Sequence, residues 1–325
     1  MGTPMKTMRA WAIDGYGGPE RMQFRELPVP TPAARDVLIR MHGAEVGDWD
    51  AMVCEGEWPM DRPFPLILGL AGSGTVAGSG KAVTGLAEGD PVYVYSYPLR
   101  HEGCPSPDHN GAWAEYMLVP AAYVAPAPAS LDLAFAGVVP VAGLTALETL
   151  KDVLQVKSGD VVLITAASGG VGHLAVQLAK RLGASVVATT SARNRAFVEG
   201  LGADLVIDYA AGDFVAALHD RYPDGVDKAL NGVSGATANA VVRALRKGGQ
   251  MVDLTGTASA ARPDVTIETD YVVQHDADRL ARLARLIDDG QILVEVQELM
   301  SFDQAPEALE KVLDKHVRGK LGLCF

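Results

Sequence analysis

From Val161 onward the chain alternates short apolar runs with amphipathic stretches, and this alternation constrains the fold more than any other feature. The runs are VVLIT (161–165), SVVATT (185–190), DLVIDY (204–209), VDKALN (226–231) and QMVDLTG (250–256). Between them lie VGHLAVQLAKRLG (171–183), RNRAFVEGLG (193–202), DFVAALHDRY (213–222) and ATANAVVRALRKGG (236–249). A strand that is apolar on both faces needs helices over both, so the pattern predicts a doubly wound parallel sheet of the α/β class. The endings LGA at 182–184 and 201–203 and KGG at 247–249 predict helix C-termini with glycine in the left-handed cap.

The first third reads differently. Between residue 8 and about 126, Pro and Gly punctuate short runs: VLIRM (37–41), GTVAG (74–78), DPVYVY (90–95) and AEYMLV (114–119). Short strands with turn residues between them predict a β-barrel-like unit. After Tyr271, ADRLARLARLIDDG carries Leu280, Leu283, Leu286 and Ile287 at helical spacing. A strand ILVEV (292–296), a helix from Ala305 and a last strand KLGLCF (320–325) follow. This tail is too long to close the parallel sheet, so it is expected to return to the β-rich unit. The expected domains are 1–126 with 274–325, and 127–273.

Charge and composition narrow the function classes. The 325 residues hold 40 acidic against 28 basic side chains, a net charge of −12. That field disfavours nucleic acid and anionic membrane surfaces. No apolar run reaches the roughly 20 residues of a membrane span; the richest, Phe135 to Leu147, is broken by Pro140 and Gly143. The start, MGTPMKTMRA, lacks the apolar core of a secretory signal. Cys54, Cys104 and Cys324 are widely spaced and odd in number, which fits a reducing compartment. A soluble cytoplasmic protein is the expectation.

VLITAASGGVG (162–172) runs from a strand through a glycine turn into a helix. Set against the dinucleotide fingerprint, Ala167 takes the first glycine place and Gly169 and Gly172 the other two. Gly169 lets the backbone approach a pyrophosphate at the positive end of the helix, and Gly172 allows helix and strand to pack closely. The next strand and its exit read SVVATTSARNR (185–195), with no acidic residue to hold a free ribose 2′-hydroxyl. Thr190 and Ser191 can donate hydrogen bonds there and Arg193 can supply charge, so NADPH is favoured over NADH.

With these motifs the sequence resembles the zinc-independent quinone oxidoreductases of the medium-chain dehydrogenase/reductase superfamily. The likeness rests on VLIRMHGAEVGDWD (37–50), LILGLAGSGTVAGSG (66–80), PVAGLTALETL (140–150), AASGGVG (166–172), GADLVIDY (202–209) and RGKLGL (318–323). It implies a GroES-like β-barrel catalytic domain, a Rossmann domain binding NADPH, and a homodimer. Carried over by position, Thr145 contacts the nicotinamide side, and Ser168, Gly169, Gly170 and Val171 hold the pyrophosphate. Thr190, Ser191, Arg193 and Tyr209 surround the 2′-phosphate; Asn231, Val233, Leu254 and Gly256 line the sheet edge near the nicotinamide; Lys320 lies near the cofactor. Two positions depart from the pattern: Gly47 replaces a frequent Asn, and Asn231 stands where Asp is common.

The zinc-dependent relatives place ligands at the positions of Gly47 and Leu70, neither of which has a donor side chain, so no catalytic metal is expected. HEGCPSPDH (101–109) gathers His101, Glu102, Cys104, Asp108 and His109, and is read as a surface loop. Without a Lewis acid the accessible chemistry is hydride transfer to an electron-poor quinone or α,β-unsaturated carbonyl. Trp49, Met52 and Trp58 are candidates for the substrate wall or for barrel packing. Asp50 is the one carboxylate placed to act as an acid, with a structural role as the competing reading. A 2-alkenal or enoyl-thioester reductase and a non-catalytic NADPH-binding sensor are the alternatives.

Overall fold

The computed structural model describes residues 6–58, 63–96, 110–259 and 261–325. The chain divides into two compact units: Met1–Val141 with Gln274–Gln291 and Val296–Phe325, and Ala142–Val273 with Ile292–Glu295.

The first unit is mainly antiparallel β-structure. It begins with β1 (Thr7–Ile13), β2 (Gln23–Pro28), β3 (Asp36–Glu45), α1 (Asp48–Glu55), β4 (Leu66–Ile67), β5 (Ala71–Ser79) and β6 (Pro91–Tyr95). β7 (Tyr116–Pro120), β8 (Val124–Pro126) and α2 (Leu133–Ala136) follow, and α3 (Pro140–Glu148) leads out of it. β3 organises the main sheet. Its register with β5 shifts after Leu38 and again after Met41, bending the strand. One edge pairs with β5; the other pairs with β7 through Asp36–Arg40 and with the chain's last strand through Gly43–Glu45.

The second unit holds β9 (Val161–Ile164), α4 (Gly170–Arg181), β10 (Ser185–Thr190), α5 (Arg195–Gly200), β11 (Leu205–Asp208) and α6 (Phe214–Arg221). β12 (Val226–Asn231), α7 (Ala236–Ala244), β13 (Leu245–Asp253) and β14 (Thr266–Glu268) complete it. The six strands run in the order β11-β10-β9-β12-β13-β14, every pairing parallel. Leu163, Val187, Val226, Val241, Leu245 and Met251 fill its core, as continuous apolar strands require.

The chain returns to the first unit with α8 (Ala277–Asp288), β15 (Val296–Ser301), α9 (Ala305–Leu313) and β16 (Lys320–Cys324). α8 buries Leu280, Leu283 and Ile287, the stripe read from the sequence.

Three local expectations change. Gly183 and Gly202 take the left-handed conformation just past α4 and α5, as LGA predicts, but KGG caps no helix. α7 ends at Ala244 on an extended Leu245, and Arg246–Gly249 form a bulge where the register with β12 jumps from Val226–Leu245 to Lys228–Gln250. The units also divide after Val141 and not at 126.

ILVEV is not a strand until Val296, because Ile292–Glu295 belong to the second unit. Gln177 on α4 donates from Nε2 to Leu293 O (2.9 Å) and accepts from Leu293 N–H at Oε1 (2.8 Å). One turn earlier, His173 accepts from Glu295 N–H at Nε2 (3.3 Å) while its Nδ1 lies 2.9 Å from Gly169 O. Two side chains thus supply the backbone partners that a neighbouring strand would have given. Among the described residues no helix is long and apolar enough to cross a membrane.

Candidate active site

In the second unit β9 exits through Thr165 into the glycine turn. Ala166 adopts a positive φ of 49°, and its carbonyl accepts from Gly169 N–H at 2.8 Å. α4 then begins at Gly170 with no side chain capping it. Its first-turn amides are therefore available to an anion, favoured further by the helix dipole. Gly172 is a packing requirement: a Cβ there would fall 2.2 Å from Ala166 O and 2.8 Å from Ala167 Cα, so helix and turn meet backbone to backbone. The expected pyrophosphate residues Ser168, Gly169, Gly170 and Val171 are all partly exposed on this turn.

Ser168 also reaches the adenosine side. Its Oγ accepts from Thr190 Oγ1 (3.0 Å) and from Asn194 Nδ2 (3.1 Å), so two of its lone pairs are engaged and its own proton is left to donate. Asn194 was missed in the sequence; the available signal was a polar residue at the start of the helix after β10. Ser191 is partly exposed and caps the short 3₁₀ segment Ala192–Asn194 after β10, in which Arg193 is exposed. Tyr209 N–H bonds Thr190 O at 3.3 Å, while the residue is 57% exposed. The residues expected around the 2′-phosphate thus share the carboxyl ends of β10 and β11, with hydroxyl and cationic chemistry that suits such a group.

The sheet edge is less open than the resemblance implies. Val233, Leu254 and Gly256 lie on the loops after β12 and β13, Val233 and Leu254 partly exposed and Gly256 exposed. Asn231 is fully buried and turned onto Thr165 and Asp253. Thr145, on α3, is buried, and its carbonyl accepts from Thr149 Oγ1 at 2.6 Å.

The candidate substrate residues lie in the first unit. Gly47 precedes α1, and Asp50 at the third helical position accepts from Gly47 N–H (2.9 Å) through Oδ2. The carboxyl is wholly buried, and Oδ1 has no hydrogen-bond partner among the described residues. Burial is the main cause that pushes its pKa up to about 8; the Gly47 bond and Lys320 oppose it, while Glu45 and Asp48 add to it. Lys320 opens β16, with Nζ 2.7 Å from Glu45 Oε1 and 5.1 Å from the centre of the Trp49 ring. The lysine and glutamate side chains are 6% and 1% exposed. Glu45 Oε2 also accepts from Val141 N–H at 3.0 Å. Sequence reasoning missed Glu45, whose charge at the end of an apolar strand was the signal. Trp49 and Met52 are half-buried on α1; Trp58 lies beyond it, half-buried, with its N–H on Met52 O at 3.2 Å.

Among the described residues no three His, Cys, Asp or Glu side chains are grouped to hold a metal ion. The ligand-type residues of 101–109 lie outside the described residues.

Residues 33–129 match the family model of the alcohol dehydrogenase GroES-like domain, and residues 201–321 match that of a zinc-binding dehydrogenase. The chain is 30% identical to a chloroplast envelope quinone oxidoreductase homolog of Arabidopsis thaliana, over 97% of this chain and 98% of that protein. It is 31% identical to the chloroplastic NADPH-dependent alkenal/one oxidoreductase of the same plant, over 97% of this chain and 79% of that one. The solved quinone oxidoreductase of Coxiella burnetii superposes with a TM-score of 0.86 at 30% identity, over 98% of this chain and 100% of that one. With a GroES-like domain, a parallel-sheet domain, and relatives matched along almost its whole length, the chain belongs to the quinone oxidoreductase branch of the medium-chain dehydrogenase/reductase superfamily.

Proposed function

We propose that this protein is an NADPH-dependent reductase that delivers hydride to a quinone or another α,β-unsaturated carbonyl without zinc. One observation carries the reading. The uncapped start of α4 adjoins a cluster of Ser168, Thr190 and Asn194, with no carboxylate at the end of β10. That donor set fits a pyrophosphate and a 2′-phosphate and would leave a free 2′-hydroxyl without its usual acceptor.

NADPH, when bound, supplies the hydride. The α4 amides of Gly170 and Val171 hold the pyrophosphate, with Ser168 and Gly169 on the turn. Thr190, Ser191 and Arg193 favour the 2′-phosphate, and Tyr209 flanks the adenosine. Thr145, Val233, Leu254 and Gly256 orient the nicotinamide half. Trp49 and Trp58 offer flat walls to a planar acceptor. Lys320, engaged by Glu45, packs its ammonium over one face of the Trp49 ring. With that hydride and one proton from water, a quinone would become its hydroquinone. Gly47 and Leu70 stand where zinc ligands would be and lack donor side chains, which favours an acceptor already electron-poor enough to need no Lewis acid.

Asp50 is a capping residue in this reading and not the acid. General acids contribute roughly 10²-fold or more, so an Asp50→Asn enzyme that folds and binds NADPH yet loses that much turnover would return it to the chemistry. The relative named for alkenal/one reduction favours 2-alkenals as the second substrate class. The family pattern and the sparse cysteines support a cytoplasmic homodimer.

The test follows absorbance at 340 nm with metal-stripped protein, NADPH or NADH, 1,4-benzoquinone, a polycyclic quinone, a short 2-alkenal and crotonyl-CoA. Rapid oxidation of NADPH with a quinone or enal is expected. Tight NADPH binding with no turnover on any acceptor would make the protein a sensor.

A further inference from the structure

Thr165, Asn231 and Asp253 stand at the carboxyl ends of three adjacent parallel strands, β9, β12 and β13. The chain runs outward from β9 through β10 and β11, then crosses back to β12 on β9's other side, so the sheet order reverses between Thr165 and Asn231. Open α/β sheets bind their ligands at such a reversal.

The three residues are 2%, 0% and 1% exposed, respectively. Asn231 Nδ2 donates to Asp253 Oδ1 (2.7 Å) and to Val233 O (2.8 Å). Its Oδ1 accepts from Thr165 Oγ1 (2.7 Å) and Val233 N–H (3.3 Å). Thr165 Oγ1 in turn accepts from Gly232 N–H at 3.0 Å. Every hydrogen-bonding valence of the carboxamide is used. Asp253 is equally full: Oδ1 takes Thr255 N–H (3.2 Å) and Oγ1 (2.8 Å), and Oδ2 takes Thr257 N–H (2.9 Å) and Ala258 N–H (2.7 Å). Asn231 therefore orders 232–233, Asp253 orders 255–258, and the Asn231–Asp253 bond joins the two loops beside a second tie from Gly235 N–H to Thr257 Oγ1 (3.0 Å).

We infer that Asn231 is a positioning residue for the nicotinamide half of the cofactor site, acting as the neutral donor that lets the buried Asp253 carboxylate tie both loops to the sheet edge. This rests on the cofactor reading proposed above. An aspartate at 231, the residue common in the family pattern, would set the oxygen that replaces Nδ2 against both Asp253 Oδ1 at 2.7 Å and the Val233 carbonyl at 2.8 Å. Two carboxylates that close cannot both ionise, so the pair would hold a shared proton and lose it as pH rises.

The experiment measures NADPH and 2′,5′-ADP binding to the full chain by calorimetry between pH 6 and 9, for wild type and Asn231→Asp. Because variant and wild type are compared at each pH, the ligand's own titration cancels. The ratio of NADPH dissociation constants is expected to exceed about tenfold at pH 8.5 and to fall within about threefold at pH 6, as the shared proton returns. Binding of 2′,5′-ADP, which lacks the nicotinamide half, stays at the wild-type value. The thermal midpoint of the unliganded variant falls over the same pH range. Should Asn231→Asp not fold, Thr165→Val removes the bond to Asn231 and frees Gly232; it should weaken NADPH and spare 2′,5′-ADP without a new pH dependence. Equal loss of both ligands in either variant, or wild-type NADPH affinity at every pH, overturns the inference. A wild type that binds neither ligand overturns the cofactor reading, whereas a variant-specific failure leaves it standing.

Discussion

The indole of Trp49 occupies the space that any side chain on residue 47 would need: a Cβ on Gly47 would fall 2.2 Å from Cε2 and Cζ2 of that ring. Gly47 and Trp49 are therefore one structural choice, and an asparagine at 47 is incompatible with the indole as it lies here. Gly47→Ala should lower stability by about 1–3 kcal/mol, the range for forcing extra volume into a packed site. Trp49→Val in the same chain should recover most of that loss. A double-mutant cycle on thermal midpoints checks the coupling, and additive effects would contradict it.

Asp50 gives a stability profile with a definite sign. Its carboxyl is held neutral up to about pH 8 in the folded protein but ionises near 3.8 when unfolded. Between those values the folded state binds the extra proton, so stability from this group falls as pH rises and levels off above about 8. Asp50→Asn should remove that slope and stabilise the protein at pH 8, by at most ~5 kcal/mol, with little effect near pH 4. Urea unfolding at the two pH values reads it. A variant less stable at both would mean that an amide cannot replace the carboxyl group in the Gly47 bond.

The Glu45–Lys320 pair is buried on both sides. Lys320→Met strands a carboxylate and should cost about 3–5 kcal/mol; Lys320→Met with Glu45→Gln should cost much less, because no uncompensated charge remains. Chemical denaturation of the single and double variants separates these outcomes.

Cofactor choice is tested at Ser191, which precedes the 3₁₀ turn bearing Arg193. Ser191→Asp introduces the missing carboxylate and should weaken NADPH while narrowing its lead over NADH, by about tenfold or more in kcat/KM ratio. An unchanged ratio would place the 2′-phosphate elsewhere.

Much of this fold is legible in the sequence. Periodicity located β9 through β13, because continuous apolar runs flanked by glycine caps have few other solutions. The glycine turn was equally plain, since Gly172 answers a backbone contact that only glycine permits. What the sequence hid were pairings between distant side chains. Nothing local to Glu45 announces Lys320, and nothing local to Asn231 announces Asp253, because each partner arrives through sheet register. ILVEV differs for the same reason: its period fits a strand, but Gln177 and His173 claim the backbone of Leu293 and Glu295.

That side-chain claim on Leu293 and Glu295 has a consequence for how the protein comes into being. The parallel-sheet unit lacks its last piece until residue 295 has been made, and the antiparallel sheet waits longer still for β16. Neither unit can finish folding while its N-terminal portion alone has emerged, so the order of synthesis does not set the order of assembly. A fragment ending at Val273 would leave Gln177 and His173 facing water where backbone should be, and the same gap would greet any attempt to transplant the cofactor unit by cutting at its apparent end.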